Sequence, residues 1–140
     1  MTTARAISKS LRDCFEDGGK LLAFGNGGSA QQASHFVAEL IHEGLPAISL
    51  NSDIAVITST ANDYSYKEIF GRQIIALGKP DDIVMGFSSS GKSENIHYAY
   101  KWAKKMGLEI IDFPRKGKNG QEIQENQLKL IHKVWQLLKR

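Results

Sequence analysis

KLLAFGNGGSAQQASHFVAEL, residues 20–40, reads as strand, tight turn and helix in immediate succession. Leu21, Leu22, Ala23 and Phe24 form a short apolar run after a glycine pair, the pattern of a buried strand. Gly25-Asn26-Gly27-Gly28-Ser29 is too rich in glycine for anything but a tight turn. Ala33, Phe36, Val37, Leu40 and Ile41 then fall at helical spacing, with Ser29 as the expected N-cap. A glycine turn leading into a helix N-terminus presents backbone N–H groups to an anion. On that helix His35 and Glu39 are four residues apart and share one face. An anion cradle followed by a titratable pair is what an enzyme of phosphorylated sugars needs.

Outward from this stretch, strands and helices alternate. Ile7, Leu11, Cys14 and Phe15 mark an amphipathic first helix closed by Asp17-Gly18-Gly19. After the break at Gly44-Leu45-Pro46, residues 47–50 form a second strand. Ser52 is placed to cap a helix over 53–60, and Asn62-Asp63-Tyr64 reads as a polar turn. Ile69, Phe70, Gln73, Ile74 and Leu77 give the next helix its apolar stripe, ended by Gly78 and Pro80. Residues 82–87 are a third strand running into Ser88-Ser89-Ser90-Gly91-Lys92-Ser93. A helix with Ile96, Ala99, Trp102, Ala103 and Met106 leads to a fourth strand over 108–112. A basic link, 113–120, precedes a last helix from Gln121 to about Leu138 with Ile123, Leu128, Ile131, Trp135 and Leu138 apolar. This alternation predicts an α/β fold with a parallel four-stranded sheet. Ligands of such sheets collect at the carboxyl ends of the strands. Both Gly/Ser-rich loops, 25–29 and 88–93, leave strands at that end.

The bulk numbers agree with one globular domain over residues 1–140. The chain is 41% hydrophobic and 24% charged, with a net charge of +3. Its basic residues gather after Lys101 without a nucleic-acid-binding motif, so a nucleic-acid partner is not expected. One cysteine, Cys14, excludes an internal disulfide; on the apolar face of the first helix it reads as a buried structural thiol. No signal-peptide core and no long apolar run is found, so no membrane association is expected and a cytoplasmic protein is the default.

Three phosphate-site readings compete. Gly25, Gly27 and Ala30 fit the dinucleotide pattern G-x-G-x-x-A, with Asp53 at a distance suited to a ribose hydroxyl. Residues 86–93, GFSSSGKS, satisfy the Walker A pattern, and residues 108–112 can pose as a Walker B strand. That loop has no glycine between Gly86 and Gly91. The third reading is a sugar-phosphate site, in which three consecutive serines and backbone N–H groups hold a single phosphate and no nucleotide cofactor is needed.

The third reading is reinforced by a resemblance. GNGGSA, HF-AEL, PAI-L, ANDY-Y-E-F-RQ, G-S-SG-S-N and a late IQE helix, in that order, resemble the SIS (sugar isomerase) domain family, and within it the phosphoheptose isomerases. The resemblance implies a three-layer αβα, flavodoxin-like domain that isomerises a phosphorylated sugar. The expected reaction takes sedoheptulose 7-phosphate to D-glycero-D-manno-heptose 7-phosphate for lipopolysaccharide or capsule. Asn26, Gly27, Gly28 and Ser29 match the family's substrate loop, Asn62 and Asp63 its sugar-binding turn, and Ser88, Ser89, Ser90 and Ser93 its phosphate loop. His35, Glu39, Gln124 and His132 match its metal-and-catalysis set, which implies zinc, with Gln124 also at the substrate. Glu39 is then the base and His132 the acid of an enediol mechanism, roles that aldose–ketose isomerisation demands. Gln124 and His132, eight residues apart, are separated by about 12 Å along a straight helix. A homo-oligomer is expected, with the last helix as candidate interface.

Against the family pattern the chain reads as trimmed. Little of the family's first long helix precedes Ile7. The segment after Glu39 is shortened to Ile41-His42-Glu43-Gly44. A helix and an edge strand are missing where Gly120 meets the last helix, and Gln127 stands where histidine is common. Two alternatives follow: a non-catalytic SIS module that binds a sugar phosphate or docks a partner, and, more distantly, a P-loop nucleotide hydrolase.

Overall fold

The computed structural model describes residues 3–139. In chain order it has α1 (Thr3–Glu16), β1 (Leu21–Gly25), α2 (Gly28–His42), β2 (Ala47–Ser49), α3 (Ile54–Asp63), a 3₁₀ turn at Tyr66–Glu68, α4 (Gly71–Leu77), β3 (Ile83–Phe87), α5 (Glu94–Lys105), β4 (Glu109–Asp112) and α6 (Gly120–Leu138). The four strands form one parallel sheet in the order β2-β1-β3-β4. This is the flavodoxin-like order without a fifth strand, so β4 is an edge where α6 follows through the basic link.

β1 and β3 are buried along their whole length, as central strands of a parallel sheet should be. Their side chains alternate between two cores. Leu21, Ala23, Ile83, Met85 and Phe87 face the layer of α1, α2 and α6. Leu22, Phe24 and Val84 face the opposite layer, with Phe70, Ile74 and Ile96. Asp82, at the start of β3, accepts from Lys20 Nζ (2.6 Å), the Lys20 backbone N–H (2.9 Å) and the Lys79 N–H (2.8 Å), and so fixes the lower ends of both central strands.

Several local expectations are corrected. Ser29 is buried inside α2, whose N-cap is Gly27, so it does not cap that helix. Asp53, not Ser52, caps α3, accepting from the N–H groups of Ala55 and Val56. Asn62 and Asp63 belong to the last turn of α3 instead of a turn beyond it. The expected helix over 69–77 is preceded by the 3₁₀ turn at Tyr66–Glu68 and becomes helical only at Gly71. In α6 the buried face is Gln127, Ile131, Val134 and Leu138: Ile131 and Leu138 are as expected, Gln127 and Val134 take the places expected for Leu128 and Trp135, and Leu128 is 39% exposed. Gln127 is drawn inward because its Nε2 donates to the carbonyls of Ser88 and Pro114, each at 3.2 Å. Of the expected interface stripe Ile131 and Leu138 are therefore spent on the core, while Leu128 is exposed and Trp135 half-buried.

Candidate active site

β1 and β3 pair in register up to Gly25 opposite Phe87, so their loops leave the sheet side by side. From β1 the chain crosses to β2 on one side, and from β3 to β4 on the other. The crevice between the two loops is thus the topological switch point, where open parallel sheets bind ligands.

The β1 loop is held tightly. A methyl group at Gly25 would stand 2.8 Å from the backbone oxygens of Phe87 and Ser29, so only glycine fits this close approach. Gly27 takes φ +56°, and the Ser29 N–H then donates to Asn26 O at 2.9 Å. Asn51 clamps the end of β1, its Oδ1 accepting from Gly25 N–H and its Nδ2 donating to Gly25 O. The Asn26 side chain exchanges two bonds with Asn95 and accepts a third from the Tyr66 hydroxyl at 3.1 Å. Asn26 is thereby a strut between the two rim loops, and Asn51, Tyr66 and Asn95 are site residues that sequence reasoning missed. Asn95 closes the G-S-SG-S-N pattern, the one signal that pointed toward it.

The β3 loop folds on its own hydroxyls. Ser88 Oγ accepts from the Gly91 N–H at 2.9 Å and Ser90 Oγ from the Lys92 N–H at 3.0 Å. Among the described residues the Ser89 and Ser93 hydroxyls have no hydrogen-bond partner, which leaves both for a ligand. Gly86 lies inside β3, paired with Phe24 and Asp112, so the loop proper begins at Ser88. That is too short for a P-loop, whose first glycine opens the wrap around a triphosphate. Asp53, the ribose candidate of the dinucleotide pattern, spends its carboxylate as the cap of α3.

α2 and α6 lie against each other with their chains running the same way. Gln124 sits over the start of α2: its Nε2 lies 2.7 Å from where a Gly28 methyl would be, and its carbonyl accepts from Gln32 Nε2. Two turns on, the His132 ring meets the His35 ring edge to face, centroids 5.6 Å apart. His35 Nε2 lies 3.4 Å from Glu39 Oε1. The structure thus sets His35 against both Glu39 and His132 and places Gln124 at the glycine loop. Among the described residues no three of His, Cys, Asp and Glu gather as metal ligands. The donors of one chain, as arranged, do not fit a zinc site, and no step below runs through a metal. Among the described residues the Asn62 and Asp63 side chains bond only each other, Nδ2 to Oδ1 at 3.0 Å, at the exposed end of α3.

The model of the SIS domain matches residues 2–113. The chain belongs to the SIS domain family. α6, with Gln124 and His132, lies beyond the matched stretch. Among curated relatives, the phosphoheptose isomerase of Thermodesulfovibrio yellowstonii is 52% identical over 119 residues, 81% of this chain and 57% of that protein. The phosphoheptose isomerase of Geotalea daltonii is 38% identical over 157 residues, covering 96% of this chain and 82% of the relative. That alignment is longer than the whole 140-residue chain, so the relative carries residues that this SIS domain lacks. The phosphoheptose isomerase structures from Neisseria gonorrhoeae and Francisella tularensis both superpose with a TM-score of 0.93, at 30% and 31% identity. They cover 96% and 97% of this chain and 84% of each of theirs. The three-layer αβα SIS fold is thus established. The chain spans little more than half the length of the first curated relatives it matches. Among the described residues no helix is long and apolar enough to cross a membrane.

Proposed function

We propose that this SIS domain is a cytoplasmic aldose–ketose isomerase that converts sedoheptulose 7-phosphate into D-glycero-D-manno-heptose 7-phosphate for bacterial surface polysaccharide. The observation that carries this reading is one continuous arrangement. A hydroxyl loop with two unengaged serines meets the switch point, and the contact of α2 with α6 beside it carries a carboxylate and two imidazoles. At 1.5 Å per residue, His35 and Glu39 lie about 10 and 16 Å along α2 from Gly28. In this reading the phosphate lies at the serines and the carbonyl end points toward Glu39 and His132.

In this mechanism Glu39 takes a proton from C1 of the ketose while His132 gives one to the carbonyl oxygen on C2. The product is the enediol. Return of a proton to C2 and loss of one from the oxygen on C1 gives the aldose, and both side chains recover their starting charge. His35, against both partners, holds Glu39 and His132 in place. Ser89, Ser93 and the loop N–H groups bind the phosphate, and Gln124 reaches the substrate above Gly28.

The test is sedoheptulose 7-phosphate in deuterated water, followed by NMR. Deuterium at C1 together with formation of the aldose supports the enzyme. Binding of the sugar without exchange overturns it and leaves the non-catalytic sugar-phosphate module. Running the assay with zinc and with chelator adds a second reading: acceleration by zinc would overturn the metal-free step drawn above.

A further inference from the structure

The basic link after β4 carries Arg115, whose guanidinium lies over the Ser88–Ser93 loop. A methyl at Gly91 would stand 2.8 Å from Arg115 Nε, 3.0 Å from Cζ and 3.1 Å from Nη2. The guanidinium therefore fills the space that a side chain at residue 91 would take. Its Nη1 donates to Asp112 Oδ2 at 2.9 Å. Asp112 is held in turn by the Tyr100 hydroxyl, which donates to Oδ1 at 2.8 Å. Burial first, and then the charge of Asp112, push the Tyr100 phenol far above its ordinary value, so it stays a donor. On the other side of the loop His97 Nε2 donates to the Gly91 carbonyl at 2.8 Å.

An ion pair three residues apart and this exposed, 30% for Arg115 and 43% for Asp112, contributes little stability by itself. What it does is aim a charge. With Nη1 on Asp112, the Nε and Nη2 edge is turned to the loop, and among the described residues it has no acceptor. The loop itself lacks a fixed cation: Lys92 is exposed and pairs with nothing among the described residues. A phosphate monoester carries nearly two negative charges at neutral pH, more than hydroxyls and amides alone balance. The planar fork of arginine presents parallel donors matched to two phosphate oxygens.

We infer that Arg115 is a phosphate-binding residue of this site: its Nε and Nη2 donate to the phosphate held by the serine loop, while Asp112 keeps the guanidinium in place. This rests on the sugar-phosphate reading of the loop and adds to it a charged contact from the neighbouring strand end, outside the serine pattern.

Calorimetric titration with sedoheptulose 7-phosphate and with inorganic phosphate, on wild type, Arg115→Gln and Arg115→Lys, tests it. Loss of a charge-assisted pair of hydrogen bonds is worth roughly 10- to 100-fold in affinity. Arg115→Gln is expected to weaken both ligands by that factor, with Arg115→Lys recovering part. Hydrogen exchange of the 88–93 amides should stay as in wild type, because the loop folds on Ser88 and Ser90. Wild-type affinity in Arg115→Gln overturns the inference. So does weakened binding accompanied by lost amide protection that Arg115→Lys does not restore, which would make Arg115 a loop brace. Phosphate bound through Arg115 without binding of the phosphosugar keeps the inference and rejects the proposed substrate. Phosphosugar binding untouched by Arg115→Gln does the reverse, and a wild type that binds neither ligand rejects both.

Discussion

The side-chain amides of Asn26 and Asn95, 69 residues apart in the chain, bond each other twice, Nδ2 to Oδ1 at 2.9 Å in both directions. Asn95 is 3% exposed, so this is an internal joint between the glycine loop after β1 and the first turn of α5 after the serine loop. Two loops that must grip opposite parts of one ligand are thereby set at a fixed distance before it arrives, which lowers the ordering cost of binding.

Asn95→Ala breaks the joint and leaves the Asn26 amide without its buried partner. The expected loss is about 1–3 kcal/mol of stability, the cost of unsatisfied buried polar groups. Urea unfolding measures it. Weaker phosphosugar binding should accompany it, because the rim loops lose their common anchor. A variant with unchanged midpoint and unchanged affinity would show that the amide pair carries neither.

Cys14 is 6% exposed, and burial, followed by the charge of Asp82, pushes its thiol up to about 11. A free cysteine titrates near 8.5. The folded state therefore holds the proton more tightly than the unfolded chain. This contribution to stability is complete below about pH 8 and is lost as pH rises toward 11. At pH 8 iodoacetamide should label the native protein far more slowly than the urea-unfolded chain, since the thiolate is the nucleophile. Equal rates in the two states would remove the claim.

What was legible in the sequence was whatever is encoded locally. β1 and β3 are short apolar runs bounded by glycine and serine, and a strand buried on both faces has to look like that. Their rim loops followed from the same boundaries. The Asn26–Asn95 joint was not legible, because nothing local at residue 26 specifies a partner at residue 95. Helix faces were read to within one position only. Leu128 looked like core, yet Gln127 takes the buried place because its amide donates to two loop carbonyls, Ser88 and Pro114. Gln124 and His132 do lie on one continuous helix, but their meaning depended on α6 running alongside α2, which puts Gln124 at Gly28 and His132 at His35.

A homo-oligomer is expected through the face of β2, α3 and α4, not α6. Ile54 is 76% exposed, Ile75 45%, Leu77 40% and Ile48 36%. Ile48 and Leu77 line one shallow hollow with Val56, Arg72 and Ala76. Apolar surface collected in this way marks an interface. Sedimentation should give an oligomer for wild type and a smaller species for Ile54→Asp. A wild-type monomer at micromolar concentration would reject the oligomer, and an Ile54→Asp oligomer of unchanged size would reject this face.

Glu39→Gln isolates the chemistry from the binding. Glutamine keeps the size of the side chain and a hydrogen-bonding end beside His35, but it cannot accept a proton from carbon. Loss of a general base costs about 10²- to 10⁴-fold in rate, so exchange at C1 of sedoheptulose 7-phosphate should fall by that factor with the dissociation constant nearly unchanged. His132→Asn should slow the overall conversion similarly, through loss of the proton donor to the oxygen on C2. Ser89→Ala should instead raise the dissociation constant and spare the rate at saturation, because the phosphate does not react. The pattern across the three variants decides the assignment. Wild-type exchange in Glu39→Gln would keep the isomerase and remove Glu39 as its base, and His35, the other titratable side chain against it, would be the next residue to substitute.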